Sequence, residues 1–217
     1  MALKSTVFKA TLQVNDVDRG YYAGHALTLA RHPSETDERM MVRVLAFALH
    51  AHEDLAFGRG LSADDEPDLW RRDPTGAILE WIDVGQPDVK LLRRAAGRAE
   101  SVTVYCYGRA ADPWWAQSRG ELARIDRLAV IRVDDASVAA LGQLVERTMQ
   151  LHCTILEGEV TLHSGGSGAV TLRPGEMSFI PTATEHELKN EGTGRCVYLF
   201  VYSKAEEKEA AQAPRAH

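Results

Sequence analysis

Three carboxylates far apart along the chain, Glu38, Asp68 and Asp83, have the types and settings that could hold a divalent cation. Glu38 shares a helical face with Met41 and Leu45, so it points toward the core in the first turn of its predicted helix, where packing alone would call for an apolar residue. Asp68 opens a predicted hairpin. Asp83 interrupts the apolar run Trp81, Ile82, Val84 near the carboxyl end of a strand, the edge of an α/β sheet at which ligands bind. An ionised carboxylate buried there is costly unless paired, so Asp83 requires a metal, an arginine or backbone N–H groups. Mg²⁺ and Mn²⁺ take oxygen ligands, and Mg²⁺ is commonly held by one or two carboxylates with waters. Two acids on a hairpin and a third on an adjoining helix suit such an ion. The neighbouring Asp64, Asp65 and Glu66 read as a solvated acidic loop, to which Asp68 could also belong.

The elements that must position these acids follow from periodicity. Residues 5–14 and 21–30 alternate and are rich in β-branched and aromatic types, which predicts a long hairpin. Ser34 as N-cap, with apolar residues at Met41, Val44, Leu45, Ala48 and Leu49, predicts a helix carrying Glu38. A second hairpin is expected from 69–72 and 77–84 around Asp73-Pro74-Thr75-Gly76. Pro87 and Asp88 start a helix with Val89, Leu92, Ala95, Ala96 and Ala99 on one stripe, and 101–107 is a further strand. That strand–helix–strand unit predicts two parallel strands and therefore a mixed sheet. Asp112-Pro113 opens a helix to about Leu122, 127–133 reads as strand, 135–147 as helix and 148–156 as strand. A hairpin over 158–172 and strands at 177–180 and 196–202 complete the reading, with a charged tail expected to be disordered from Ala205.

The 217 residues suffice for one α/β domain with an appendage. Twenty-five basic against 31 acidic residues give a net charge of −6, so any attraction for nucleic acid must be local. No apolar run reaches membrane-spanning length and the N-terminus does not read as a secretory signal, which makes a cytoplasmic protein the expectation. Cys106, Cys153 and Cys196 lack metal or disulfide spacing and are expected to be buried thiols.

Several motifs match one family. The runs Ala30 to Met41, Gly60 to Trp70, Trp81 to Asp88, Tyr107 to Asp112 and Arg147 to Leu151 together resemble the bacterial YaeQ family, over residues 1–173. That resemblance implies a restriction-endonuclease-like fold of the PD-(D/E)XK superfamily, a mixed central sheet flanked by helices. On it, Pro67-Asp68 is the PD element, Asp83 the second acid and Glu38 the helix-borne acid, holding Mg²⁺ or Mn²⁺ for phosphodiester hydrolysis in nucleic acid. Nucleases of this kind carry a lysine two residues after the second acid, where it stabilises charge in the transition state. Gly85 stands there instead. Gln86 follows on the opposite face, and Lys90 or Arg93 on the next helix are the candidates for a displaced cation. The alternative is a catalytically inactive regulatory protein on the same fold that binds nucleic acid or a partner, and the resemblance weakly implies a link to transcription elongation.

For the nucleic acid, Lys90, Arg93, Arg94, Arg98 and Arg109 read either as a phosphate-contacting stripe or as a solvated helix face. Arg31 and His32 either ligate phosphate or hydrogen-bond loop backbone, and Trp114-Trp115 either stack bases or anchor a helix. Beyond residue 173 the pattern changes. Gly175, Pro181, His186 and Asn190 resemble the second motif of cupins, with Ala183 where glycine is usual, but the His-x-His and glutamate of a first motif are missing. His152 and His163 stand alone, so a cupin metal set is incomplete. The expected organisation is therefore a nuclease-fold body at 1–173, a cupin-like β extension at 174–204 and a tail at 205–217.

Overall fold

Alternating, β-branched sequence opens the chain as strands β1 (Thr6–Asp16) and β2 (Tyr21–Arg31). The computed structural model describes residues 5–16, 19–59, 65–155, 160–164, 168–172, 186–189 and 200–203. They divide between two compact units, Met1–Phe8 with Thr28–Arg147, and Lys9–Leu27 with Thr148–His217. The expected boundary at 173/174 marks where one family pattern stops, whereas this division marks where the chain is compact.

The first unit runs α1 (Asp37–Leu49), β3 (Leu55–Phe57), β4 (Leu69–Arg72), β5 (Ile78–Val84), α2 (Val89–Ala96), β6 (Ala99–Cys106), α3 (Ala111–Leu122), β7 (Leu128–Arg132) and α4 (Asp135–Gln143). Its five-stranded sheet has the order β3-β4-β5-β6-β7. β3, β4 and β5 are antiparallel neighbours, while β5, β6 and β7 are parallel. The mixed sheet and the parallel β5–α2–β6 unit are as expected. One face carries Ile78, Trp81, Val102, Val104 and Cys106 against Leu92 and Ala95 of α2 and Leu122 of α3. Strand alternation places Glu80, Ile82, Val84 and Tyr105 on the other face, toward α1. The edge strand β3, three residues long, is too short to give a periodicity signal in the sequence.

Helix α1 begins two residues later than its sequence suggests. The N-cap is Thr36, whose side chain accepts from the Arg39 backbone N–H at 3.2 Å, not Ser34. Eight consecutive or near-consecutive residues, Met40 to Val44 and Ala46 to Ala48, are buried, because the helix packs on β5 as well as on α4. Helix α3 starts at Ala111 without a side-chain cap, and α4 stops at Gln143 rather than continuing to Arg147.

The second unit contains β8 (Thr148–Ile155), β9 (Val160–Ser164), β10 (Gly168–Leu172), β11 (His186–Lys189) and β12 (Phe200–Ser203). A four-stranded mixed sheet has the order β12-β8-β1-β2, with β8 parallel to β1 and antiparallel to β12. A three-stranded antiparallel sheet has the order β10-β9-β11. The described residues thus build two mixed sheets and a third antiparallel one, where the sequence leads to a single central sheet with an extension. The strand expected at 177–180 and the tail from Ala205 lie outside the described residues, as does Cys196. Cys106 and Cys153 are buried free thiols.

Gly58 fixes the strand that delivers Asp68. Its N–H donates to the Asp68 carbonyl at 2.9 Å, and a Cβ added at Gly58 would lie 2.0 Å from the Pro67 carbonyl oxygen. Gly58→Ala is therefore expected to destabilise the protein by about 1–3 kcal/mol, as overpacking does. Urea unfolding measures it, and an unchanged midpoint would show that this close approach is not needed.

Candidate functional site

At the carboxyl end of β5 an ionic network is built around Arg39 from the first turn of α1. One terminal nitrogen of Arg39, Nη2, donates to Asp68 Oδ1 and Oδ2 at 3.0 and 2.8 Å and to the Val84 carbonyl at 3.1 Å. The other, Nη1, donates to Glu35 Oε1 at 2.8 Å. Arg43, one turn further along α1 and only 2% exposed, donates to both oxygens of Glu35 at 2.8 Å. Asp68 also accepts from the Val84 backbone N–H at 2.8 Å. Glu35 and Asp68, each 5% exposed, are thus neutralised by two arginines and a backbone donor. Burial opposes the charge of Arg39, but the Asp68 and Glu35 carboxylates outweigh it and raise its pKa.

Asp83 projects onto the opposite face of β5 from Val84, one step past the Leu69–Ile82 register pair and so across from Asp68. Its Oδ2 accepts from the Trp81 indole N–H at 2.9 Å. Burial is the main cause that lifts its pKa to about 6, with the Asp68 charge adding to it and the Trp81 hydrogen bond and Arg39 partly offsetting it. The partners that this acid requires are the Trp81 indole and the Asp68 backbone N–H, with the Arg39 guanidinium nearby.

Glu38 does not join the other two acids. It is exposed, and its side chain runs toward Gly142 of α4, where a Cβ would lie 3.1 Å from Glu38 Cγ. The late start of α1 turns it outward and leaves Glu35, just ahead of the helix, as the acid that faces the core. Gln86 donates from Nε2 to the Tyr107 carbonyl at 2.6 Å, and Gly85 has φ +115° with its N–H on the Tyr105 carbonyl. Both seal the β5–β6 edge. Lys90 is exposed on α2, and Arg93 pairs with Glu121 at 3.3 Å.

Of the other expected residues, Arg31 pairs with Asp37 and lies 5.3 Å over the Phe8 ring, and His32 bonds Ser34, so these two hold a loop. Arg94 and Arg109 are exposed. Trp114 anchors α3 by donating to the Pro87 carbonyl at 3.1 Å, while Trp115 is exposed. A second polar cluster was not anticipated: His50 lies 3.2 Å from Glu80 and 2.9 Å from the buried Tyr105 hydroxyl, and Arg71 donates to Glu80 at 2.8 Å. The His50 hydrogen bond is the main cause that holds Glu80 down at about 2, and burial pushes Tyr105 up. Neutral His50 can satisfy both neighbours, donating from Nδ1 to Glu80 and accepting the phenol proton at Nε2.

These residues do not fit the metal centre expected from Glu38, Asp68 and Asp83. Among the described residues no group of three His, Cys, Asp or Glu side chains is placed to hold a metal ion. Both oxygens of Asp68 face the Arg39 guanidinium, and Glu38 is directed elsewhere. The described helices include none long and apolar enough to cross a membrane.

A mixed α/β unit with acids gathered at the carboxyl edge of its sheet defines the class. The chain belongs to the YaeQ family: the YaeQ protein model matches residues 1–172. It is 45% identical over 163 residues to the YaeQ protein of Salmonella typhi, spanning 75% of this chain and 90% of that one. The Escherichia coli K12 relative is 44% identical over 163 residues, with the same coverage. The crystal structure of YaeQ from Xanthomonas axonopodis pv. citri matches with TM-score 0.69 and 52% identity, over 78% of this chain and 96% of that one. That of YaeQ from Pseudomonas syringae matches with TM-score 0.69 and 33% identity, over 88% and 98%. A cupin domain model matches residues 150–202. The two models overlap on β8, β9 and β10, and the cupin match ends in β12, the strand that pairs with β8.

The raised pKa of Asp83 has a defined consequence. Between its unfolded value near 3.8 and about 6 the folded state holds a proton that the unfolded state has lost. Asp83 therefore subtracts stability as pH rises through that window. Asp83→Asn is expected to raise stability by about 1–3 kcal/mol near pH 7 and to leave it unchanged below about pH 4. Urea unfolding across this range is the measurement, and a variant less stable than wild type at neutral pH would contradict it.

Proposed function

We propose that this protein is a catalytically inactive, regulatory nucleic-acid-binding protein on a restriction-endonuclease-like, PD-(D/E)XK scaffold. The observation that carries the reading is the Arg39 guanidinium, which donates to Asp68, Glu35 and the Val84 carbonyl at the place where a nuclease would gather oxygen ligands for a cation. Gly85 in place of the lysine, and Gln86 bonded to the Tyr107 carbonyl, support it. The nucleic acid is suggested by α2 and the residues after it, where Lys90, Arg93, Arg94 and Arg98 are exposed and no acid lies between Val89 and Ala99. A setting in transcription rests on the family resemblance alone.

One observation favours a second reading, a Mg²⁺- or Mn²⁺-dependent phosphodiesterase. Asp83 lies near Asp68 as a like charge and takes its hydrogen bonds from an indole and a backbone N–H rather than from an arginine, which leaves a carboxylate pair that a cation would relieve. The two readings separate in one assay series. On the first, labelled DNA and RNA bind with an affinity that falls with salt, Asp83→Ala binds like wild type, and neither ion induces cleavage. Arg94→Glu weakens binding and lowers the salt slope by about 1 or more. Cleavage that requires Mg²⁺ or Mn²⁺ and disappears in Asp83→Ala would overturn it in favour of the second.

A further inference from the structure

On the sheet face that carries α2, one row of residues runs across neighbouring strands: Ala56 of β3, Trp70 of β4, Trp81 of β5, Val102 of β6 and Leu128 of β7. Burial along that row is lopsided. Trp81 and Val102 are buried beneath the helices, Trp70 is half-buried and Ala56 is exposed, so α2 leaves the β3–β4 side of the face open to solvent.

Cations and indoles alternate from this open side to its buried margin at Trp81. The Arg72 guanidinium lies 3.4 Å from the centre of the Trp70 ring, at stacking distance. Trp70 meets Trp81 edge to face at 6.3 Å, and Arg98 lies 5.3 Å over Trp81. Arg72 and Arg98 are both exposed. Lys90 and Arg94 stand four residues apart on one stripe of α2, and Arg98, in the turn that follows the helix, lies over Trp81, so the three cations lead from the helix into the aromatic array. Arg93 lies off that stripe and is paired with Glu121. Asp65 and Glu66 pair with Arg59 at 3.6 and 3.0 Å, and Glu66 also feels the Arg72 charge.

We infer that this face is a base-stacking platform for single-stranded nucleic acid, with Trp70 and Arg72 as the stacking pair and Lys90, Arg94 and Arg98 as the phosphate track leading to it. The inference rests on the nucleic-acid reading above and adds which strandedness is bound and where. A planar guanidinium laid on an indole offers its outer face to a base, and such stacking tolerates any sequence because every base has a π-face. A duplex keeps its bases stacked on one another and presents only phosphates, so it engages the α2 stripe and not the platform. The positive stripe beside the aromatic pair matches a polyanion and disfavours an acidic-poor peptide on the same surface.

Binding of a short oligothymidylate and of the matching duplex to the full-length protein, followed by anisotropy and by tryptophan fluorescence, tests this. Wild type is expected to bind the single strand more tightly than the duplex, with quenching of tryptophan emission. Arg72→Lys keeps the charge and removes the plane, and is expected to weaken single-strand binding about tenfold while leaving duplex binding alone. Trp70→Phe is expected to lose most of the quenching. If both variants bind the single strand like wild type while Arg94→Glu weakens it, the platform is wrong and the nucleic-acid reading stands. Equal wild-type affinity for duplex and single strand also overturns the platform. If wild type binds neither oligonucleotide, both readings fall.

Discussion

The geometry of the sheet edge depends on one guanidinium. Arg39 joins the N-terminal turn of α1 to the first residue ahead of β4 and to the last residue of β5, through Asp68 and the Val84 carbonyl. Arg43 anchors the same turn through Glu35. Two arginines facing two buried carboxylates leave no net charge in the interior, and each carboxylate receives more than one hydrogen bond. Removing any one member would strand a charge among apolar side chains, which is a strong reason for the set to persist as a unit whether or not it contributes net stability. The same network fixes the distance between α1 and the sheet and thereby the position of Asp68 opposite Asp83.

Asp83 sits outside this balanced set. It faces the other side of β5, held by an indole N–H, and its elevated pKa follows from burial beside a carboxylate whose own countercharge lies on Arg39. The three acids expected to gather here are in this way divided. One acid is neutralised by arginine, one sits at the edge of titration near neutral pH, and Glu38 has been turned to solvent beside α4. Lys90 and Arg94 on α2, Arg98 just after it and Arg72 on β4 are among the exposed cations, and Arg72 and Arg98 lie over Trp70 and Trp81.

Much of this was legible from the residues alone. Asp83 stood out because a carboxylate interrupts an apolar run, and the β4–β5 hairpin and the parallel β5–α2–β6 unit followed from alternation, turn residues and a capped helix. Glu38 was misplaced for a physical reason: α1 is buried on two sides, so its apolar stripe is too broad to define a core-facing direction, and Thr36 rather than Ser34 caps it. Arg43, a cation inside the apolar run Met40 to Ala48, is the same kind of signal as Asp83, whereas Arg39 stands just ahead of that run and carries no such signal. The division into two mixed sheets was not readable, since β1 pairs with β8 through partners such as Lys9 and Thr148 that only the folded chain brings together. The cupin-like segment was visible as a pattern, but that its end supplies β12 beside β8 was not.

Direct titration with Mn²⁺, read by calorimetry on the full-length protein, bears most closely on the claim that Arg39 takes the place of a cation at this edge. The account predicts no saturable binding at millimolar Mn²⁺ in the wild type. Stoichiometric binding with micromolar affinity, lost in Asp68→Asn, would mean that the guanidinium yields to metal and would contradict it.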